Sequence, residues 1–285
     1  MKFAYSTSIY RLRALSEAIE GIARAGFCAI ELITERPHAF PEDMTATHIS
    51  ALNQNLDQLK MKVSNLNGCG VMTSSEPGSP SWIEENWQPR EIRIRYVLDC
   101  MRMAAAMGVP CVTTEGAGIL PSTMNRNDGV RLFVANLQRV LPLAAKLGVK
   151  LLVQPGPGLL IETSDHVLEL LKQMDFNEWL GINFDPGHFF CVDEDPCESW
   201  EKLKKYILHV HLDDIPPDRN HRHIQLGEGI MDIPGFLKCV QESDYDGYIT
   251  IKLDSYEQRP EEVVLASAEY LREKGFLPER IEPCV

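Results

Sequence analysis

The chain has 285 residues, with 28 Lys plus Arg against 41 Asp plus Glu and a formal net charge of −13. Apolar residues make up 44% and charged residues 24%, a balance that supports a large buried core and excludes extensive disorder. The negative balance argues against nucleic acid or an anionic membrane as the main partner, since both need a basic footprint. It leaves room for a small anionic ligand held by a few local Arg or Lys.

The start, Met1-Lys2-Phe3-Ala4-Tyr5-Ser6, lacks the apolar core of a signal peptide, and no apolar run approaches the roughly 18 residues of a membrane span. The eight cysteines include no C-x-x-C pair. That usage fits small buried hydrophobes in a reducing compartment better than disulfides or a zinc cluster, so the cytoplasm is the expected location.

In chain order, a first strand at residues 2–7 leads into an amphipathic helix that stops at Ala25-Gly26-Phe27, ahead of a second strand at 28–33. A third strand falls at 62–67. The longest insertion follows it, residues 68–89, rich in Ser, Gly, Pro and Trp; its place after a strand end makes it a candidate lid, with a long surface loop as the plainer alternative. A helix ending at Met107-Gly108-Val109 precedes a strand at 111–115. Another, over 128–146 with Leu132, Leu137 and Leu141, ends at Leu147-Gly148-Val149 before a strand at 150–154. Strands at 181–185, 207–212 and 247–253 and a last helix at 260–274 complete the series. The glycine past each helix end supplies the left-handed cap that turns the chain back into a sheet. Eight strands alternating with helices predict a single (β/α)8 barrel over residues 1–285. A doubly wound sheet is the alternative, but no glycine-rich phosphate loop follows the first strand, so no nucleotide cofactor is expected.

Successive side chains on a strand point to opposite faces, so parity sorts residues between the helix layer and the barrel interior. Ile249, Ile251 and Leu253 go outward and Tyr248, Thr250 and Lys252 inward. By the same rule Leu151 and Val153 go outward and Gln154 inward, Ile182 and Phe184 outward and Asn183 and Asp185 inward. Leu208, Val210 and Leu212 go outward, leaving His209 and His211 inside, and the second and fourth strands send Glu31 and Glu115 inward. The third strand does not alternate cleanly and gives no assignment. Seven polar groups, Glu31, Glu115, Gln154, Asp185, His209, His211 and Lys252, thus gather mostly near the C-terminal strand ends, where (β/α)8 enzymes keep their active sites. His209, lying deeper, reads as a satisfied core residue; burying the whole set without a ligand, metal or network would be costly.

Several of these residues sit in motifs. The stretch Gly181-Ile182-Asn183-Phe184-Asp185-Pro186-Gly187-His188, then His209-Val210-His211-Leu212-Asp213-Asp214, then Leu226-Gly227-Glu228-Gly229 before Asp232-Ile233, resembles the xylose isomerase-like barrel superfamily of sugar and sugar-phosphate isomerases and epimerases. The resemblance implies a divalent metal (Mn, Mg, Zn or Co) held by a Glu ending the fifth strand, an Asp ending the sixth, a His in the seventh and a Glu in the eighth, the two Glu also serving as paired bases. Carried across, these positions are Gln154, Asp185, His211 and Lys252: Asp and His are retained and both Glu are replaced. Three carboxylates and a dication sum to −1, whereas Asp185 and Lys252 sum to zero, and an ammonium beside a metal would repel it. The set remaining is poor for a hard divalent ion.

The resemblance therefore implies an isomerase or epimerase acting on a small polyhydroxylated carbonyl compound, a polyol or sugar-like molecule. Glu31, His188, Arg222 and His223 are the candidate substrate-side residues, with a solvated loop as the alternative for residues 221–223. Because Gln cannot act as a base, Glu115, Asp213 or a Lys252 with lowered pKa would have to take over, which makes Lys252, Glu115, Gln154 and His188 the candidate catalytic set. A metal-independent lyase or dehydratase built on Lys252 and a non-catalytic metabolite-binding barrel are the alternatives. Apurinic-site endonuclease activity is disfavoured by the acidic balance and by too few inward ligands for several zinc ions. A homo-oligomer is compatible with each reading.

Overall fold

Alternating apolar residues bounded by glycine-capped helices build the strands where the pattern places them. A computed structural model describes residues 1–70 and 79–278. Its strands are β1 Lys2–Ser6, β2 Ala29–Ile33, β3 Lys62–Asn67, β4 Cys111–Glu115, β5 Lys150–Gln154, β6 Leu180–Phe184, β7 Ile207–Leu212 and β8 Tyr248–Ile251. All neighbours pair in parallel and β1 closes on β8, giving a (β/α)8 barrel. The helices are α1 Leu15–Arg24, α2 Ala46–Gln58, α3 Trp87–Met107, α4 Arg126–Leu147, α5 Ser164–Gln173, α6 Pro186–Cys191, α7 Pro196–Leu203, α8 Ile233–Glu242 and α9 Pro260–Glu273. Gly108 and Gly148 cap α3 and α4 in the left-handed conformation, with φ of 71° and 67°, as the helix–glycine–strand pattern requires.

The core lies between the sheet and the helices. Phe184 on β6 stacks on Phe189 of α6 and Phe236 of α8 at 4.6 and 5.8 Å, with Trp200 of α7 edge-on at 5.5 Å. This aromatic block fixes the helices that carry the residues after β6. Leu208 departs from the expected pattern. It is 41% exposed and stands over Gly181, whose β-carbon would lie 2.6 Å from it, because the β6–β7 register shifts between Ile182 and Asn183. Such a shift breaks strict alternation.

Residues 71–78 of the expected lid lie outside the described residues. The part that follows is anchored: Trp82 is buried, donates Nε1–H to Thr114 Oγ1 at 2.8 Å and packs on Phe133 of α4, and Asn136 donates to its carbonyl. Among the described residues no helix is long and apolar enough to cross a membrane, and the seven cysteines are all free.

Candidate functional site

The inward residues of β2, β5, β6 and β7 form one buried network. Glu31 Oε2 lies 2.7 Å from His211 Nε2 and 3.4 Å from His209 Nε2. Asn65 and Asn67 of β3 donate to its two oxygens at 2.8 and 3.0 Å. Burial pushes the Glu31 carboxyl up, but His211 and His209 outweigh it and hold it well below the usual range. Burial pulls His211 down, while Glu31 and Asp185 outweigh it and leave its pKa raised. His209 is also bonded to Thr250 Oγ1 at 2.9 Å.

Gln154 closes this network from above. Its Nε2 donates to Asp185 Oδ2 at 3.1 Å and to His211 Nδ1 at 3.0 Å, while its Oε1 accepts from Cys69 Sγ at 3.5 Å. The amide hydrogens thus point at the two retained members of the metal set that the resemblance implies, where a cation would have to stand. Lys252 completes the misfit: burial pulls its pKa down, but Asp254, Asp185 and other negative groups hold it above the usual value, so it remains an ammonium. The depressed-pKa Lys252 base is overturned by those carboxylates. Among the described residues Lys252 Nζ makes no hydrogen bond and no ion pair within 4.0 Å. Gln154, Asp185, His211 and Lys252 therefore do not fit a divalent metal.

Asp185 is also the N-cap of α6, accepting from the His188 amide through Oδ1 at 3.3 Å, which places His188 one turn above the strand end. Burial raises the Asp185 carboxyl, and the surrounding His188, His211 and His223 hold it well below its usual range. His188 meets His221 and His223 from the loop after β7: the three Nε2 atoms lie 2.8, 2.9 and 3.1 Å from one another. Burial drives His188 down to about 3 and His223 down to about 4, with Lys252 adding to the latter, and it lowers His221 as well. All three are neutral imidazoles at pH 7. Behind His223, Asp213 Oδ2 lies 3.1 Å from Nδ1, yet among the described residues neither Asp213 oxygen has a hydrogen-bond partner. Burial and the Asp185 charge push Asp213 well above its usual pKa. Gly187 makes room for it, since a β-carbon there would stand 2.5 Å from Asp213 Oδ1.

Glu115, at the end of β4, stands across the mouth from Lys252. Arg93 of α3 is wholly buried and gives its hydrogens to the carbonyls of Pro80, Gly68 and Cys69 at 2.8, 3.0 and 3.1 Å. Glu115 Oε2 forms an ion pair with Arg93 Nη2 at 2.9 Å, and among the described residues neither Glu115 oxygen has a hydrogen-bond partner. Burial pushes Glu115 up to about 8 against the pull of Arg93.

The structure thus brings together Glu31, Gln154, Asp185, His188, His211 and His223, with Glu115 and Lys252 on opposite sides of the mouth. It does not bring Arg222 there: that side chain is 61% exposed and pairs with Asp218 at 3.1 Å, because the loop alternates and presents His221 and His223 on the other side. His221, Arg93, Asn65 and Asn67 were not expected; the H-x-H spacing of 221 and 223 is the signal that could have found the first. The L-G-E-G turn serves structure. Asp214 accepts from the amides of Gly227, Gly229, Met231 and Ile215 at 2.9 to 3.1 Å, and Glu228 faces solvent.

A family model described as xylose isomerase-like TIM barrel matches residues 19–274. An uncharacterised protein of Methanocaldococcus jannaschii is 25% identical over 292 aligned residues, covering 99% of this chain and 94% of that protein. An inosose dehydratase of Clostridium botulinum is 27% identical over 164 residues, covering 51% of this chain and 55% of the dehydratase; the match spans about half the length of that relative. The solved structure of a D-tagatose 3-epimerase-like protein shares the fold with a TM-score of 0.77 at 24% identity, covering 96% of this chain and 100% of that one.

Proposed function

The chain belongs to the xylose isomerase-like TIM barrel family, and from that premise we propose that it is an enzyme acting on a small polyhydroxylated ketone, removing the proton beside the carbonyl and expelling the neighbouring hydroxyl as water. One observation carries this choice. Isomerisation and epimerisation with the paired bases that the resemblance implies need two groups able to take and return a proton, and those positions hold the Gln154 amide and the Lys252 ammonium. Elimination needs only one.

Glu115 is suited to that role, paired with Arg93 at 2.9 Å but with neither oxygen hydrogen-bonded among the described residues, and with a pKa pushed up to about 8. The ionised carboxylate takes the proton on the carbon next to the carbonyl. Lys252, across the mouth, donates to the carbonyl oxygen as negative charge develops there. The carbon–oxygen bond at the adjacent carbon then breaks, the departing hydroxide takes the proton back from Glu115, and water and an α,β-unsaturated ketone result. The buried Glu31–His211–Gln154–Asp185 network orients the floor without exchanging protons with substrate. The match to an inosose dehydratase supports a cyclic keto-polyol as substrate.

Isomerisation or epimerisation is the second reading, favoured by Asp213, a second buried carboxyl with neither oxygen hydrogen-bonded among the described residues, and by the fold of the D-tagatose 3-epimerase-like protein. Incubating the protein with an inosose and a panel of ketohexoses in D2O separates the readings. Dehydration gives a product lighter by one water with enone absorbance, abolished in E115Q. A deuterated isomer of unchanged skeleton supports the second reading, and neither product leaves the binding barrel standing.

A further inference from the structure

We propose that Arg93 is a positioning residue for Glu115: a guanidinium fixed by three backbone carbonyls sets a positive charge against the carboxylate and leaves its proton-accepting lone pairs to the substrate. The inference rests on Glu115 as the base of the elimination. Arg93 reaches inward from α3 and is wholly buried. A guanidinium carries five N–H donors in one plane and stays charged at any working pH. Each of its three nitrogens is committed to a different carbonyl: Nε to Pro80 at 2.8 Å, Nη1 to Gly68 at 3.0 Å and Nη2 to Cys69 at 3.1 Å. Gly68 and Cys69 follow β3 directly and Pro80 precedes α3, so backbone on two sides holds the plane of the fork.

The carboxylate is fixed from its own side. Trp82, just after Pro80, donates Nε1–H to Thr114 Oγ1 at 2.8 Å and its amide to the Ala117 carbonyl at 2.9 Å, which grips the chain on either side of Glu115. Arg93 Nη2 stands 2.9 Å from Glu115 Oε2 within this frame. An arginine able to turn would form the two-bond fork that occupies both oxygens of a carboxylate. Here the carbonyls take up the donors, and among the described residues neither Glu115 oxygen is hydrogen-bonded. The remaining neighbours supply no such charge. Burial and Glu84 oppose ionisation of Glu115, and Arg93 favours it. Cys69 is kept a neutral thiol by its burial, and Gln154, paired with Glu115 across β4 and β5, is uncharged. The outcome is a carboxylate that ionises despite burial and still accepts a proton.

The test titrates the full chain by infrared spectroscopy, with the carboxylic acid band of Glu115 identified by its loss in E115Q. We expect a midpoint of about 8 in the wild-type chain and one at least about one pH unit higher in R93Q, which lowers the ionised fraction at pH 7 about tenfold. Dehydration of an inosose should follow, with kcat/KM at pH 7 reduced about tenfold or more and recovering as pH rises. R93K, which keeps a charge but not the fork, should fall between the two. A clamp that serves the fold alone would leave the midpoint where it is, so an unchanged midpoint in R93Q overturns the proposal. A second measurement leaves Arg93 intact. In the isotope-labelled wild-type chain the Arg93 side-chain NMR resonances should shift with the Glu115 midpoint, and in E115Q they should stay flat. Flat resonances in the wild-type chain overturn the proposal whether or not R93Q folds. Dehydration unimpaired in E115Q overturns the base reading itself, a result scored separately from either titration.

Discussion

Gln154→Glu is the most telling perturbation of the barrel floor, because it restores one carboxylate of the metal set that the family resemblance implies. In the wild-type chain the Gln154 amide donates to Asp185 Oδ2 at 3.1 Å and to His211 Nδ1 at 3.0 Å. The variant turns both contacts into oxygen acceptors and sets two carboxylates about 3 Å apart, a repulsion of about 5 kcal/mol at an effective dielectric of 20. His211, whose pKa is already raised, can take a proton and donate to the new carboxylate, which offsets most of the repulsion while the imidazole is protonated. As pH rises through the folded pKa of His211 that proton is lost and the repulsion is unscreened. The destabilisation therefore grows with pH, towards about 3 kcal/mol after relaxation. Urea unfolding in chelator across a pH series up to 8.5 measures it. Zn²⁺ or Mn²⁺ at 100 times its dissociation constant returns about 2.7 kcal/mol, in excess of any gain by the wild-type chain, and the double variant Q154E/K252E shows the larger excess. Equal stability of Q154E and wild type at pH 8.5 in chelator, with no excess gain from metal, would refute the assignment of Gln154 as the group that takes the cation's place.

Three further outcomes are expected. E115Q should reduce turnover at least about 100-fold, while wild-type kcat/KM rises with pH through about 8 as Glu115 ionises; a profile flat from pH 6 to 9 would remove Glu115 as the base. E31Q should cost about 3 to 5 kcal/mol, because it leaves His211 and His209 buried without their carboxylate. Since the Glu31 pKa is depressed, its contribution is present above the unfolded carboxylate pKa and is lost as pH falls through the folded value, so the gap between E31Q and wild type should narrow in acid. D214A strands four backbone N–H groups and should cost about 3 kcal/mol or more by urea unfolding, whatever ligand is present.

The barrel was legible in the sequence because its signals are local. Each glycine-capped helix end and each alternating run sets one strand, and parity alone sends Glu31, Gln154, Asp185 and His211 inward. Parity fails where a register shift intervenes: it placed Leu208 against the helices and gave nothing for β3, whose Asn65 and Asn67 turn out to hold Glu31, across a shift in the β2–β3 pairing. The replacement of two family glutamates was visible from the resemblance, but its consequence was not. The direction of the Lys252 shift depends on Asp254 and Asp185, and the locking of the floor depends on where an amide points. Parity says nothing about Arg222 and His221, because loop residues carry no fixed period; the loop turns Arg222 to solvent beside Asp218 and His221 towards His188.

Asp185 links the two halves of the mouth. Its Oδ2 accepts from Gln154, lies 3.7 Å from His211 Nδ1 and 3.3 Å from His188 Nε2. A carboxylate at position 154 and another at 252 would draw a cation down to His211, and Asp185 with it. An amide and an ammonium at those positions do the opposite, with the amide hydrogens standing between Asp185 and His211. Asp185 is then left to border the three neutral imidazoles above. The overall charge of −13 is silent on this, because it sums the whole chain and does not register the amide and the ammonium at positions 154 and 252. What distinguishes this mouth is the amide and the ammonium beside Asp185, and restoring the two glutamates should create metal affinity at His211.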